Sequence, residues 1–173
     1  GMGGVGKTTL LEMINNKFSE IGAPGFQVVI WVTVSKDANV HKIQKSVGDR
    51  VGLSLSASSS QAEEQAEAIF TALSKRRFLL LLDDVWETLD LKDVGIPQPS
   101  AQNRSKIILT TRSREVCRKM GTERLVKVKA LNDCESWKLF KKNVGAEVDL
   151  DSTLIDPHAR MVVKRCGGLP LAL

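Results

Sequence analysis

The feature that most narrows the possible folds is the opening octet, Gly1-Met2-Gly3-Gly4-Val5-Gly6-Lys7-Thr8, with an amphipathic run directly behind it. The octet fits G-x-x-x-x-G-K-[ST] at every fixed position. Glycines permit a bend tight enough for several backbone N–H groups to converge on one anion, where side chains would obstruct. From Lys7 onward, Leu10, Leu11, Ile14 and Phe18 recur at helical spacing. A helix therefore starts at Gly6 or Lys7 and aims the positive end of its dipole at the loop. In such a loop Lys7 reaches the β- and γ-phosphates of a nucleotide, and the Thr8 hydroxyl is placed to ligate Mg²⁺. The competing reading is a flexible glycine-rich end that matches by chance. A lysine and a hydroxyl at the right offsets, followed at once by a helix, disfavour it.

Strand-like and helix-like segments then alternate, the pattern of an α/β fold. Residues 26–34 (FQVVIWVTV) are β-branched and aromatic, a buried strand by composition. Val40, Ile43, Val47 and Val51 mark one face of a helix, and 54–60 is a serine-rich loop. A helix over about 61–75 turns Ala62, Ala66, Ile69, Phe70 and Leu73 inward. Residues 78–82 (FLLLL) are apolar on both faces, which suits the centre of a parallel sheet. A third strand follows at 106–110 (KIILT), a short helix near Arg114–Met120, and a fourth strand at Leu125–Val128. Beyond residue 129 the pattern is helical only: Asn132 or Asp133 caps one helix, and Pro157 opens another that Gly167-Gly168 stops. The expected division is an α/β unit over 1–129 and the start of a helical unit over 130–173.

Two further groups join the loop. The FLLLL strand runs straight into Asp83 and Asp84, and a carboxylate at the C-terminal end of a buried parallel strand lies where phosphates sit in such folds. Asp83 then holds Mg²⁺, directly or through water, and Asp84 polarises an attacking water. An acidic pair after a strand is otherwise a simple turn; the octet upstream favours the metal. Thr110-Thr111-Arg112 ends the next strand, where Arg112 either reads the γ-phosphate or is a surface residue opening a helix. No N-K-x-D guanine-reading tetrapeptide is present, which leaves adenine as the base.

Composition excludes several alternatives. A net charge of +5 is spread along the chain with no aromatic-interleaved basic stripe, so no DNA face is expected. Cys117, Cys134 and Cys166 have no C-x-x-C spacing, which argues against zinc and a disulfide framework. No apolar run approaches a membrane span, and the expectation is a soluble, cytoplasmic piece.

With these motifs in order, the chain resembles the NB-ARC nucleotide-binding domain of plant NBS-LRR disease-resistance proteins. The likeness rests on GMGGVGKTTL at 1–10, FQVVIWVTVSKD at 26–37, LLLLDDVWE at 79–87, KIILTTRS at 106–113, LNDCESWKLF at 131–140 and CGGLPLAL at 166–173. Trp86 and IWVTVSK are similar to the coiled-coil class rather than the TIR class. The resemblance implies a P-loop NTPase three-layer α/β sandwich with a mainly parallel sheet of order 2-3-1-4-5, then a helical ARC1-like subdomain. It implies an ADP/ATP switch with slow Mg²⁺-dependent ATP hydrolysis in an immune receptor. It further implies intramolecular coiled-coil and leucine-rich-repeat partners, and assembly on activation. Residue by residue, Gly1, Gly3, Gly4, Val5, Gly6, Lys7, Thr8 and Thr9 would bind phosphates, and Thr8 and Asp83 would hold Mg²⁺. Asp84 would assist hydrolysis, Arg112 would sense the γ-phosphate, and Pro170 would pack near the nucleotide. In that sheet order the strand preceding the octet is missing and belongs between the Asp83 strand and the Arg112 strand. Two unpaired inner edges would make the piece bind poorly and aggregate. A P-loop ATPase or small-molecule kinase with real turnover is the alternative, and it lacks an arginine-rich lid. A DNA-binding regulator would need a recognition helix, and none is visible.

Overall fold

A computed structural model describes every residue except 20–24, 35, 37, 38, 56–60, 146 and 151. The expected serine-rich loop therefore falls largely outside the described residues. In chain order the elements are α1 (Lys7–Ser19), β1 (Val28–Thr33), α2 (Val40–Val51), α3 (Ala62–Ser74), β2 (Phe78–Asp83), α4 (Leu91–Val94), β3 (Lys106–Leu109), α5 (Arg114–Lys119), α6 (Asp133–Val144) and α7 (Asp156–Arg165). They fall into two compact units, Thr8–Leu125 and Gly1–Lys7 with Val126–Leu173.

The Thr8–Leu125 unit is a P-loop NTPase-type α/β fold built on a parallel sheet of order β1-β2-β3. Side-chain alternation sorts its apolar residues onto two faces. Ile30, Val32, Phe78, Leu80 and Leu82 face one way, into a cluster with Ile43 and Val47 of α2, Ile69 and Leu73 of α3, and Val94 of α4. Val29, Leu79 and Leu81 face the other way and meet Leu11, Ile14 and Phe18 of α1. Helices thus cover both faces, giving three layers. All six residues of β2 are buried, as its unbroken apolar run requires of a central strand.

Three expectations are corrected. The strands present keep the relative order that 2-3-1-4-5 implies, but the edges expected to stand open do not: β2 pairs directly with β3 in the register Leu79↔Lys106 to Leu82↔Leu109. The ladder continues beyond the strands, with Thr110 N–H donating to the Leu82 carbonyl at 2.9 Å and Val85 N–H to the Thr110 carbonyl at 2.8 Å. The two edges expected to lack a partner are bonded to each other, so that reason for aggregation falls. Leu125–Val128 is not a strand: it joins no ladder, and Leu125 and Val126 are 49% and 80% exposed. Its apolar, valine-rich composition is local, whereas a strand needs a neighbouring edge. Phe70 is 51% exposed rather than turned inward. It follows Ile69, so the 100° step of the helix carries it off the buried face that Ile69 and Leu73 define.

Gln44, fully buried on α2, is the polar fastener of this unit. Its side-chain amide donates at 2.9 Å to the carbonyls of Ala62 and Asp93, at the start of α3 and the end of α4. Gln44→Leu keeps the volume but strands two acceptors, so unfolding in urea should show a loss of about 1–3 kcal/mol. An unchanged midpoint would contradict the fastener role.

The second unit carries α6 and α7. Asn132 accepts from Glu135 N–H while the Glu135 carboxylate accepts from Asn132 N–H, a reciprocal cap of the kind that S/T/N-x-x-E sequences form. Trp137 stacks on Phe140 at 5.8 Å, and the Arg160 guanidinium of α7 lies 4.4 Å from the Trp137 ring centre. After α7 the chain turns through Gly167 and Gly168, both at positive φ.

Candidate nucleotide site

In the Gly1–Lys7 and Val126–Leu173 unit, the opening loop bends through Gly4 at φ 72° and Gly6 at φ 93°, conformations a β-carbon disfavours. Gly1 and Gly3 lie on the same loop, and Val5 is 5% exposed. The Lys7 ammonium turns back on the loop, donating to the Met2 carbonyl at 2.7 Å and the Gly1 carbonyl at 3.2 Å. Both acceptors are neutral, so a phosphate oxygen would be a stronger partner for the same protons. The 168–173 turn braces this loop: Leu171 N–H donates to the Gly4 carbonyl at 3.2 Å. A β-carbon on Gly4 would stand 3.0 Å from that of Leu171. Pro170 is thereby placed one residue from the loop contact, half-buried. Leu171 was not singled out from sequence; the only signal was its place in the CGGLPLAL block.

In the Thr8–Leu125 unit, Thr8 and Thr9 lie exposed on the first turn of α1. The Thr8 hydroxyl donates to Asp83, with its oxygen 3.1 and 3.0 Å from the two carboxylate oxygens. Asp83 is 4% exposed, and Thr110 donates to its Oδ1 at 2.6 Å. This third group depends on the direct pairing of β2 with β3. With a strand between them, β2 and β3 would lie about 10 Å apart, beyond the reach of a threonine. The structure thus joins Thr8 and Asp83, which sequence assigned to one metal, and adds Thr110.

Asp84 leaves the strand at φ 53°, in the left-handed region that Asp tolerates better than most residues. Its N–H donates to Thr110 Oγ1 at 2.9 Å. The residue is therefore a turn former, as the plainer reading of the acidic pair has it, and it carries its carboxylate at that turn. Its carboxylate accepts from the Trp86 indole N–H at 2.9 Å and lies 3.7 Å from Arg112 Nε. The Arg112 guanidinium sits 4.8 Å from the Trp86 ring centre. Arg112 is thus brought to Asp84, and Trp86 contacts both. From sequence, Trp86 served only to mark a class; its position two residues after Asp84 was the available clue.

The donor set suits magnesium. A single buried carboxylate beside one hydroxyl leaves the other positions to phosphate oxygens and water, which is how Mg²⁺ is usually held. Among the described residues no cluster of three or more His, Cys, Asp or Glu exists, so an all-protein metal cage is not available there. No helix of the described residues is long and apolar enough to cross a membrane.

Comparison with known proteins places the chain in a family. The profile of the family described as NB-ARC domain matches residues 1–150. The whole chain aligns with Disease resistance protein RFL1 of Arabidopsis thaliana at 48% identity, covering 20% of that protein. It aligns over its whole length with Probable disease resistance protein At1g52660 of the same plant at 49% identity, covering 46% of it. Disease resistance protein RPS5, also from Arabidopsis thaliana, matches at 49%, again with 20% of its length covered. The chain therefore spans between a fifth and just under half of these relatives. A loop with the fixed residues of a phosphate cradle, a hydroxyl–carboxylate pair suited to magnesium and a matched profile over most of the sequence agree: the chain belongs to the NB-ARC family of nucleotide-binding domains.

Proposed function

We propose that this domain is the ADP/ATP switch of a cytoplasmic plant immune receptor, with residues 1–129 binding nucleotide and 130–173 beginning an ARC1-like helical subdomain. The observation that carries the reading is the pairing of Thr8 with buried Asp83, next in the chain to a glycine loop whose lysine donates to the neutral carbonyls of Met2 and Gly1. The backbone N–H groups of residues 1–9 and the Lys7 ammonium hold the phosphates. Thr8 and Asp83 hold Mg²⁺, which when bound would neutralise phosphate charge. Asp84 orients a water, Arg112 reads the γ-phosphate, and Pro170 packs by the nucleotide. The output is a change of conformation passed to coiled-coil and leucine-rich-repeat segments of the parent protein and to its assembly, with slow hydrolysis as the reset. Similarity to several disease resistance proteins supports the receptor context.

Asp83→Asn tests the metal role while keeping an acceptor for both threonines. In the intact parent, ATP affinity with magnesium should fall about tenfold, while with EDTA the variant and the wild type should coincide. Equal affinity in magnesium would remove Asp83 from the metal site. Turnover separates a switch from an enzyme proper: the parent should purify with bound ADP and hydrolyse ATP slowly.

A further inference from the structure

We infer that Trp86 is a positioning residue that ties the Asp84 carboxylate and the Arg112 guanidinium into one unit. This rests on the roles proposed above for Asp84 and Arg112, and gives their shared orientation a physical cause.

The turn after β2 is pinned at its middle. Val85 is 1% exposed, packs in the larger core cluster, and its N–H is held by the Thr110 carbonyl at 2.8 Å. The residues on either side of it, Asp84 and Trp86, are consequently presented outward together. Indole has one donor, and here it goes to Asp84 Oδ2 at 2.9 Å. That bond fixes both the ring plane and the carboxylate, leaving Oδ1 toward Arg112 Nε at 3.7 Å, an ion pair too long to be a hydrogen bond. The guanidinium does not depend on that contact alone, because it lies 4.8 Å from the ring centre. One side chain thus contacts the acid through its edge and the cation through its face.

Stability is a poor explanation for this arrangement. Trp86 is 41% exposed, and the Arg112 and Asp84 side chains are 52% and 34% exposed, so screening leaves the ion pair little worth. Orientation is what the geometry supplies. The group that would meet a terminal phosphate and the group that would aim a water are set by a common aromatic ring.

In the intact parent labelled with 5-fluorotryptophan, Trp86→Phe identifies the fluorine resonance of Trp86, and Trp31→Phe and Trp137→Phe identify those of the domain's other two tryptophans. Arg112→Ala and Asp84→Asn should each move that resonance and leave those of Trp31 and Trp137 in place. A Trp86 resonance indifferent to Arg112→Ala would overturn the proposal. In the intact parent, Trp86→Leu should slow single-turnover ATP hydrolysis about tenfold with ADP affinity kept within about twofold. Trp86→Phe, which keeps the ring face and loses the donor, should recover part of that rate. Equal losses in both variants, or a fall in ADP affinity matching the fall in rate, would mean a merely structural role. Should the wild type bind no nucleotide, the proposed function fails while the fluorine result still decides whether the three side chains form a unit.

Discussion

Lys7→Ala in the intact protein is expected to weaken ADP and ATP at least about 100-fold, with the fold retained. The ammonium is the loop's one charged side chain, and it is bonded to the Met2 and Gly1 carbonyls at 2.7 and 3.2 Å. Those neutral contacts are exposed, so losing them removes little stability. Losing two charge-assisted bonds to a polyphosphate removes about 3 kcal/mol or more, which is the stated factor in affinity. Lys7→Arg should not restore binding, because a planar fork cannot occupy the place of a compact charge inside a tight loop. Isothermal titration with ADP checks both variants, and circular dichroism checks their folding. Retained affinity in Lys7→Ala would show that the loop does not hold phosphates.

Gly168→Ala is expected to lower stability by about 2–4 kcal/mol, a large effect for one added methyl group. Gly168 lies at φ 71°, and a β-carbon there would run into the Leu131 carbonyl. The turn has no freedom to retreat, since Leu131 N–H donates to the Gly168 carbonyl at 2.8 Å. Movement of this turn also carries Leu171 away from Gly4, so loosening of the opening loop should accompany the loss. Gly167→Ala is the control: its φ of 58° is also positive, but nothing lies within 4 Å of its added β-carbon. That variant should lose only about 1–2 kcal/mol. Thermal melting separates the two, and equal losses would show that backbone angle alone, not crowding, governs this turn.

Sequence was most informative where a residue type can do only one thing. Lys7 and Thr8 at fixed offsets from glycines, and a run of apolar residues ending in Asp83, specify loop, helix and central strand through backbone and burial rules alone. The helix starts at Lys7, Val40, Arg114 and Asp133 were legible for the same reason, from periodicity and caps such as Asn132. Lateral neighbours were not legible. Strand order depends on which edges meet, and nothing local in KIILT states that Thr110 will stand beside Asp83. Leu125–Val128 has the apolar, valine-rich composition of a strand, yet it joins no ladder. Trp86 illustrates the same limit at the site. Its indole role follows from the turn that Asp84 makes at φ 53°, a consequence of three-dimensional bonding to Thr110 rather than of spacing.

The most direct test of the central claim is the nucleotide content of the intact, folded parent, released by denaturation and followed by titration of the stripped protein with ADP in magnesium. The account predicts close to one adenine nucleotide per chain, mostly ADP, and rebinding that Lys7→Ala eliminates. A well-folded parent that carries no nucleotide and takes up neither ADP nor ATP would contradict it.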